Sequence, residues 1–168
     1  MGARAERRAT FPIPSVGEVM RRRPITIDPE APLGTALAVM AERGVRHLPV
    51  LADDGRLIGM LTDRDVRSAV IAPALAERLP ARWRRRAEIL EKRGEALRVR
   101  DAMTWDCVTT APDASLAQAA AIMLDGRFGC LPVVDNGRLV GMLTERDVLR
   151  ALAERLPAIR GDADDYFW

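Results

Sequence analysis

The chain has 168 residues, of which 48% are hydrophobic and 30% charged, with 26 Lys and Arg against 24 Asp and Glu. This balance predicts a folded globular protein and excludes the composition of a disordered chain. No run of about 18 uncharged apolar residues is present, so no membrane span is predicted and a cytoplasmic location is expected. Two cysteines and one histidine are too few for a disulfide scaffold or a zinc site, so no metal site is predicted.

An internal repeat organises the sequence. Residues 20–70 align with residues 103–152, with one extra residue in the first copy at Asp53-Asp54. About twenty of roughly fifty aligned positions are identical, far more than composition alone would produce. The repeat predicts five segments. These are a basic arm at 1–13, a first repeat at 14–72, an Arg-rich helical linker at 73–98, a second repeat at 99–156 and a tail at 157–168.

Each copy opens with a short β-rich run, at residues 25–27 and 108–110, which a Pro-containing turn ends. A helix is predicted next, because apolar residues recur at i, i+4 and i+7. These apolar positions are Leu33, Leu37 and Met40 in the first copy and Leu116, Ala120 and Met123 in the second. The two helices are expected to stop near Gly44 and Gly126.

A β-hairpin and a second helix follow in each copy. The turns are predicted at residues 54–55 and 136–137, where Asp-Gly and Asn-Gly are strong hairpin signals. The final helices are predicted to begin at Thr62 and Thr144, which gives the order β-α-β-β-α twice. Since a unit of about sixty residues cannot cover both faces of its sheet, we expect two such repeats packed about a pseudo-twofold axis, an α/β (α+β) fold.

The residues best suited to binding lie at the end of each hairpin. Both copies carry the pattern Gly-φ-φ-Thr-x-x-Asp, where φ is apolar, at residues 59–65 and 141–147. Thr-x-x-Asp at a helix start is also typical of a capping box, which needs no ligand. An Arg between the Thr and the Asp adds a cation to the positive end of the helix, which a cap does not require. A carboxylate that accepts from ribose hydroxyls beside a phosphate-binding helix end would suit a nucleotide.

Together these features resemble a pair of CBS domains, the cystathionine-β-synthase-type repeat, forming one Bateman module. The resemblance covers residues 14–72 and 99–156, most of the chain. It implies a non-catalytic, energy-sensing regulatory module that binds AMP, ADP, ATP, NAD or S-adenosylmethionine in clefts between the repeats. It also implies a homodimer, and a regulated partner that would be another protein.

The resemblance assigns roles to the matching positions. In this family the Asp usually holds the ribose, the Thr and the following residues contact ribose or phosphate, and the backbone of the first strand brackets the adenine. The residues just before Leu-Pro-Val, which stands here at 48–50 and 131–133, often supply phosphate-facing cations. The candidate ligand-binding residues are Ile25, Thr26, Arg46, His47, Pro49, Thr62, Arg64, Asp65, Val108, Thr109, Gly129, Cys130, Pro132, Thr144, Arg146 and Asp147. Because the copies differ at residues 46–47 and 129–130, unequal occupancy of the two clefts is expected. Which Asp shares a cleft with Arg46-His47 stays open.

The Arg-rich segment supports an alternative function. Residues 82–100 hold eight cations and three glutamates, a net charge of +5. Such a segment could bind nucleic acid or an acidic partner in a salt-dependent manner. A solvated helix edge that alternates Arg with Glu is the simpler interpretation.

A redox or metal-responsive role is a second alternative, which requires that tertiary packing bring Cys107 and Cys130 into bridging range. Catalysis is not expected. The sequence has no Walker loop, no dinucleotide-binding fingerprint and no nucleophile paired with a base, so no catalytic residue is predicted.

Overall fold

The computed structural model describes residues 13–71 and 97–155. Residues 1–12, 72–96 and 156–168, which include nearly all of the predicted basic arm, most of the predicted linker and the whole tail, lie outside the described residues. The first copy contains α1 (Val16–Val19), β1 (Arg21–Arg22), α2 (Leu33–Arg43), β2 (His47–Leu51), β3 (Leu57–Thr62) and α3 (Asp63–Ile71). The second contains α4 (Val99–Ala102), β4 (Thr104–Trp105), α5 (Leu116–Gly126), β5 (Cys130–Asp135), β6 (Arg138–Thr144) and α6 (Glu145–Arg155). Among the described helices, none is long and apolar enough to cross a bilayer.

Both predicted hairpins are confirmed. Strand β2 pairs with β3 and β5 pairs with β6, each antiparallel. The turn residues adopt positive φ angles, 80° at Gly55, 47° at Asn136 and 77° at Gly137. These are the angles that Gly and Asn accept at low cost, so the turn chemistry fixes the register of each hairpin.

The first long helix of each copy is also confirmed, but its buried face differs from the prediction. Leu33, Ala36 and Met40 are buried on α2, whereas Leu37 is 44% exposed. The period of 3.6 residues allows either i+3 or i+4, and packing selects the small Ala36. The second copy repeats this choice, with Ala119 buried in place of the predicted Ala120.

Each of these two helices ends at a residue in the left-handed backbone conformation. Gly44 ends α2 with a φ of 61°, and Arg127, its counterpart by alignment, ends α5 with a φ of 54°. The second helix therefore ends at Gly126, as predicted, and Arg127 follows as its cap. The end of α5 rests on an Arg in a conformation that glycine adopts more easily.

The short elements at the start of each copy are exchanged between the repeats. Strand β1 of the first copy pairs with β6 of the second, with Arg21 opposite Met142. Strand β4 of the second copy pairs with β3 of the first, with Thr104 opposite Met60. The two sheets therefore have the orders β1-β6-β5 and β2-β3-β4. Each sheet contains strands from both repeats, so neither repeat is complete alone.

The predicted first strands at 25–27 and 108–110 are wrong for most of their length. Only their last residues pair, Ile27 in parallel with Val50 and Thr110 in parallel with Val133. The residues before them cross from one sheet to the other, after positive-φ turns at Arg23 and Asp106. Composition favours a strand here but does not reveal that the segment bridges two sheets.

Each hydrophobic core contains side chains from both copies. The core built on α2, β2 and β3 also contains Val99, Ala102 and Met103 from the second copy. The core built on α5, β5 and β6 contains Val16 and Met20 from the first. Burial of these side chains is therefore available only when both copies are folded together.

A pseudo-twofold axis relates the two copies, as predicted. Arg56 forms an antiparallel bridge with Arg138, its own counterpart by alignment. Met60 and its counterpart Met142 pack together with Cys130 in a third apolar cluster, against which the half-buried Cys107 also packs. Contacts between equivalent residues are expected on such an axis, so the α/β fold of two packed repeats is confirmed.

Truncating either exchanged methionine should destabilise the whole molecule. Met20→Ala and Met103→Ala remove equivalent buried side chains, and each should lower the free energy of unfolding by about 2–5 kcal/mol. Urea unfolding followed by circular dichroism and by tryptophan fluorescence should give one coincident transition for both variants, because each core needs both copies. Leu124→Ala, at a site that is 78% exposed, is the control and should change stability by less than about 0.5 kcal/mol. Two separate transitions would contradict the interlocked fold.

Candidate functional site

The glycine of each motif makes room for the exchanged strand. A Cβ atom on Gly59 would lie 2.5 Å from the carbonyl oxygen of Thr104, on β4. On Gly141 it would lie 3.0 Å from the carbonyl oxygen of Arg21, on β1. Since a backbone oxygen cannot move aside cheaply, position 59 requires glycine. At position 141 the closest atom to such a Cβ would be Sδ of the buried Met20, so a side chain there would force this methionine to move. The close approach that the sequence indicated is therefore an approach of protein backbone.

The Thr and Asp of each motif form the predicted capping box. In the first copy, one carboxylate oxygen of Asp65, Oδ2, accepts from the backbone nitrogen of Thr62 at 2.9 Å and from its hydroxyl at 2.6 Å. The backbone nitrogen of Asp65 donates to the Thr62 hydroxyl at 3.3 Å. Thr144 and Asp147 repeat this pattern at 3.1, 2.5 and 3.3 Å. In the first turns of α3 and α6, the amides of Asp65 and Asp147 are thus satisfied by side chains.

The cap uses only one oxygen of each carboxylate, and the other oxygens differ. Asp65 is half-buried, and among residues 13–71 and 97–155 its Oδ1 has no hydrogen-bond partner. Asp147 is buried, and its Oδ1 accepts from Nε of Arg21 at 3.2 Å. Asp65 can therefore keep its cap and still accept hydroxyl groups from a ligand.

The arginine of each motif lies in the first turn of its helix. Arg64 on α3 and Arg146 on α6 are both exposed. A cation here adds to the positive end of the helix dipole, and its guanidinium is open to solvent. Each helix start is therefore suited to an anionic group.

His47 lies at the junction of the two copies. It pairs with Thr62 in the β2–β3 ladder, and the carbonyl oxygen of its neighbour Arg46 accepts from the backbone nitrogen of Asp63 at 3.0 Å. Across the junction, a Cβ atom on Gly129 would lie 3.6 Å from Nε2 of His47. The second copy places Cys130 opposite Thr144 in the same way. The structure thus brings Arg46 and His47 to the start of α3, the helix that carries Asp65.

The environment of His47 disfavours its charged form. Burial lowers the pKa of His47 below 6.5, and the nearby positive charge of Arg46 lowers it further. The carboxylates of Asp63, Glu145 and Asp65 act in the opposite direction without reversing the shift. The imidazole is therefore held neutral at neutral pH.

Two of the predicted ligand-binding residues are prolines that make structural contacts. Pro49 and Pro132 are fully buried. Their carbonyl oxygens accept from the backbone nitrogens of Ile27 and Thr110, each at 3.0 Å. They tie the crossing segments to the sheets, and their rings are not open to a ligand.

The crossing segments present apolar surface to solvent. Ile25 is 36% exposed and Val108 is 45% exposed, and their neighbours Thr26 and Thr109 are exposed as well. The segment with Ile25 continues from β1, the strand whose Arg21 contacts Asp147. The segment with Val108 continues from β4, which pairs with the strand that ends at Thr62. Each exposed pair could cover the flat face of a purine ring.

Both thiols are held in their protonated form. Burial raises the pKa of Cys130 to about 12, with smaller contributions from Cys107 and Glu145. Burial also raises the pKa of Cys107. Within the described parts of the chain, no group of three or more His, Cys, Asp or Glu side chains is arranged to hold a metal ion.

Two residues near the site were missed by the sequence analysis. Arg21 contacts Asp147 as described above, and Nη1 of Arg150 lies 3.6 Å from Oδ1 of Asp147. The alignment of the repeats contained a signal, because the counterparts of these two arginines are Thr104 and Ser68. That difference becomes informative only once the exchanged strand pairing is known.

Comparison with known proteins identifies the family. A model described as CBS domain matches residues 16–72 and 99–154. The chain belongs to the CBS domain family. A CBS domain-containing protein of Dictyostelium discoideum is 34% identical over 148 residues, which cover 86% of this chain and 94% of that protein. An inosine-5'-monophosphate dehydrogenase of Methanocaldococcus jannaschii is 29% identical over 134 residues, which cover 79% of this chain but only 22% of that enzyme.

Solved CBS pairs share the fold. The structure of CBSX2 in complex with AMP has a TM-score of 0.69 at 28% identity, and covers 83% of this chain and 96% of that chain. CBSX2 from Arabidopsis thaliana has a TM-score of 0.63 at 30% identity, and covers 83% and 94%. A CBS domain pair in complex with 5'-methylthioadenosine and S-adenosyl-L-methionine has a TM-score of 0.66 at 24% identity, and covers 85% and 98%.

The lowered pKa of His47 makes stability depend on pH. His47 binds a proton with a pKa near 6.5 in the unfolded chain and with a lower pKa in the folded protein. The free energy of unfolding should therefore be largest above pH 6.5 and should fall as the pH decreases through that value toward the lower folded pKa. Urea titrations of wild type and His47→Gln across this range should show a steeper loss for wild type. The neighbouring carboxylates are present in both proteins, so parallel curves would contradict the prediction.

Proposed function

We propose that this protein is a non-catalytic regulatory module that binds an adenosine-containing ligand, with AMP as the first candidate. The ligand's ribose would be held by the motif aspartate, its phosphate by the start of the following helix and its adenine by the exposed crossing segment. Binding would regulate a partner protein only if the ligand prefers one conformation of the module.

The unpartnered oxygen of Asp65 carries this proposal. Its Oδ2 already bonds to Thr62, which fixes the carboxylate in place. Oδ1 is then a preorganised acceptor, and a carboxylate oxygen can accept from both vicinal hydroxyls of a ribose. Arg64 and the helix start lie within the same turn and are suited to a phosphate.

The relatives support an adenosine ligand over other nucleosides. CBSX2, which resembles this chain over most of its length, has been solved in complex with AMP. NAD, ADP, ATP and S-adenosylmethionine share the adenosine group and remain candidates. The two clefts would not be equally occupied, because the residues beside Asp65 and Asp147 differ.

The fold leaves apolar surface for self-association. Leu149 and Leu152 on α6 are 65% and 53% exposed. We propose that the protein forms a homodimer through this surface. The cytoplasmic location and the existence of a regulated partner protein stay predictions. The Arg-rich segment that could bind nucleic acid lies largely outside the described residues, and that alternative stays a prediction too. A redox role is disfavoured by the raised pKa values of both thiols.

Thermal unfolding with a panel of AMP, ADP, ATP, NAD and S-adenosylmethionine tests the proposal. A ligand present at about 100 times its Kd should stabilise the protein by roughly 2.7 kcal/mol and raise the Tm by about 5–10 °C. No shift with any of the five compounds would contradict an adenosine sensor.

Asp65→Asn should separate ribose binding from capping. The amide keeps the size of the carboxylate but accepts hydroxyls more weakly, so AMP affinity should fall by about tenfold or more. The loss of stability should stay near 1 kcal/mol, as for other caps. Asp54→Asn, which removes the same charge from an exposed hairpin turn, is the matched control. Calorimetry is done in an Asp147→Asn background, so that AMP bound at the second motif aspartate does not mask the loss. Equal AMP affinity in that background with and without Asp65→Asn would show that Asp65 serves only as a cap.

A further inference from the structure

The two motif aspartates have different partners despite identical caps. Oδ1 of Asp147 accepts from Nε of Arg21 at 3.2 Å and lies 3.6 Å from Nη1 of Arg150. Its side chain is only 1% exposed, whereas that of Arg21 is 59% exposed. The oxygen that Asp65 leaves free is therefore already occupied in Asp147.

This difference follows from the exchanged strand. Strand β1 pairs with β6 and so delivers Arg21 to the helix that starts after Thr144. Strand β4 makes the equivalent pairing with β3, but there the counterpart of Arg21 is Thr104. The counterpart of Arg150 is Ser68. Neither replacement carries a charge, so among residues 13–71 and 97–155 a cation contacts Oδ1 of the motif aspartate only in the second copy.

A ribose can reach Oδ1 of Asp147 only if Arg21 moves away. Neutral hydroxyls make weaker hydrogen bonds to a carboxylate than a guanidinium does, so a nucleoside alone would bind at a loss. A phosphate changes the balance, since the displaced guanidinium can pair with it in a bidentate manner. Arg21 is exposed enough to turn without unpacking the core, and its short strand ends one residue later.

We propose that Arg21 is a specificity-determining residue that restricts the Asp147 cleft to phosphorylated adenosine ligands. The Asp65 cleft, with Thr104 at the equivalent position, accepts adenosine compounds with or without a phosphate. This inference rests on the proposed function, because it assumes that the motif aspartates hold ribose. It adds that the two clefts distinguish a nucleotide from its nucleoside by one arginine.

Calorimetric binding of AMP and adenosine to single-cleft variants tests the proposal. Asp65→Asn leaves the Asp147 cleft, and there AMP should bind far more tightly than adenosine. Adding Arg21→Thr should strengthen adenosine relative to AMP by about tenfold or more, because the guanidinium that donates to Oδ1 of Asp147 is gone and only the longer contact of Arg150, at 3.6 Å, is left. Arg22→Thr removes the same charge from the adjacent residue, whose guanidinium donates to the Gly17 carbonyl at 3.2 Å. This control should leave the preference unchanged.

A converse variant, which adds an arginine to the other cleft, tests the proposal even if Arg21→Thr does not fold. Asp147→Asn leaves the Asp65 cleft, and adding Thr104→Arg there should weaken adenosine relative to AMP by a similar factor. Circular dichroism checks that each variant is folded.

Three outcomes would overturn the proposal. An unchanged preference in both Arg21→Thr and Thr104→Arg would show that Arg21 only ties β1 to α6, and the adenosine-binding function would still stand. Failure of Asp65→Asn to bind either compound, while wild type binds AMP, would show that the Asp147 cleft takes no adenosine ligand. If wild type itself binds neither compound, the proposed function fails first.

Discussion

The exchange of β1 and β4 between the repeats is the constraint on which the other features depend. Two residues of strand are enough to carry a four-residue helix and its apolar side chains into the opposite core. The exchange favours glycine at positions 59 and 141, where a Cβ would collide with the backbone of Thr104 and with the side chain of Met20, respectively. It also forces the following residues to cross between the sheets, which leaves Ile25 and Val108 exposed. A packing requirement thus exposes the segments that we propose cover the adenine.

The motif aspartate combines two tasks because a carboxylate has two oxygens. In both copies Oδ2 of the aspartate accepts from the backbone nitrogen of the motif threonine. This bond stabilises the helix start and fixes the aspartate side chain. Oδ1 is then held rigidly for another partner, which in the second copy is Arg21. Preorganisation reduces the entropy lost on binding, so this cap would favour the ribose binding that we propose for Asp65.

Much of the fold could be predicted from the sequence, because its strongest signals are local. Asp-Gly and Asn-Gly set the hairpins, and the repeat showed that each unit occurs twice. The capping residues were likewise found from spacing alone. The exchange could not be predicted, since two-residue strands and four-residue helices are too short for any periodicity, and their partners lie in the other repeat. For the same reason Arg21 was missed: its relation to Asp147 exists only through the pairing of β1 with β6.

A crystal structure of the protein with AMP would test the account most directly. We predict that a ribose hydroxyl lies within about 2.6–3.2 Å of Oδ1 of Asp65, while Oδ2 keeps its bonds to Thr62. The adenine should rest against a crossing segment, and the phosphate should face the start of α3. AMP bound away from both motif aspartates, or with Asp65 turned from its cap, would contradict the claim that the cap prepares the ribose site.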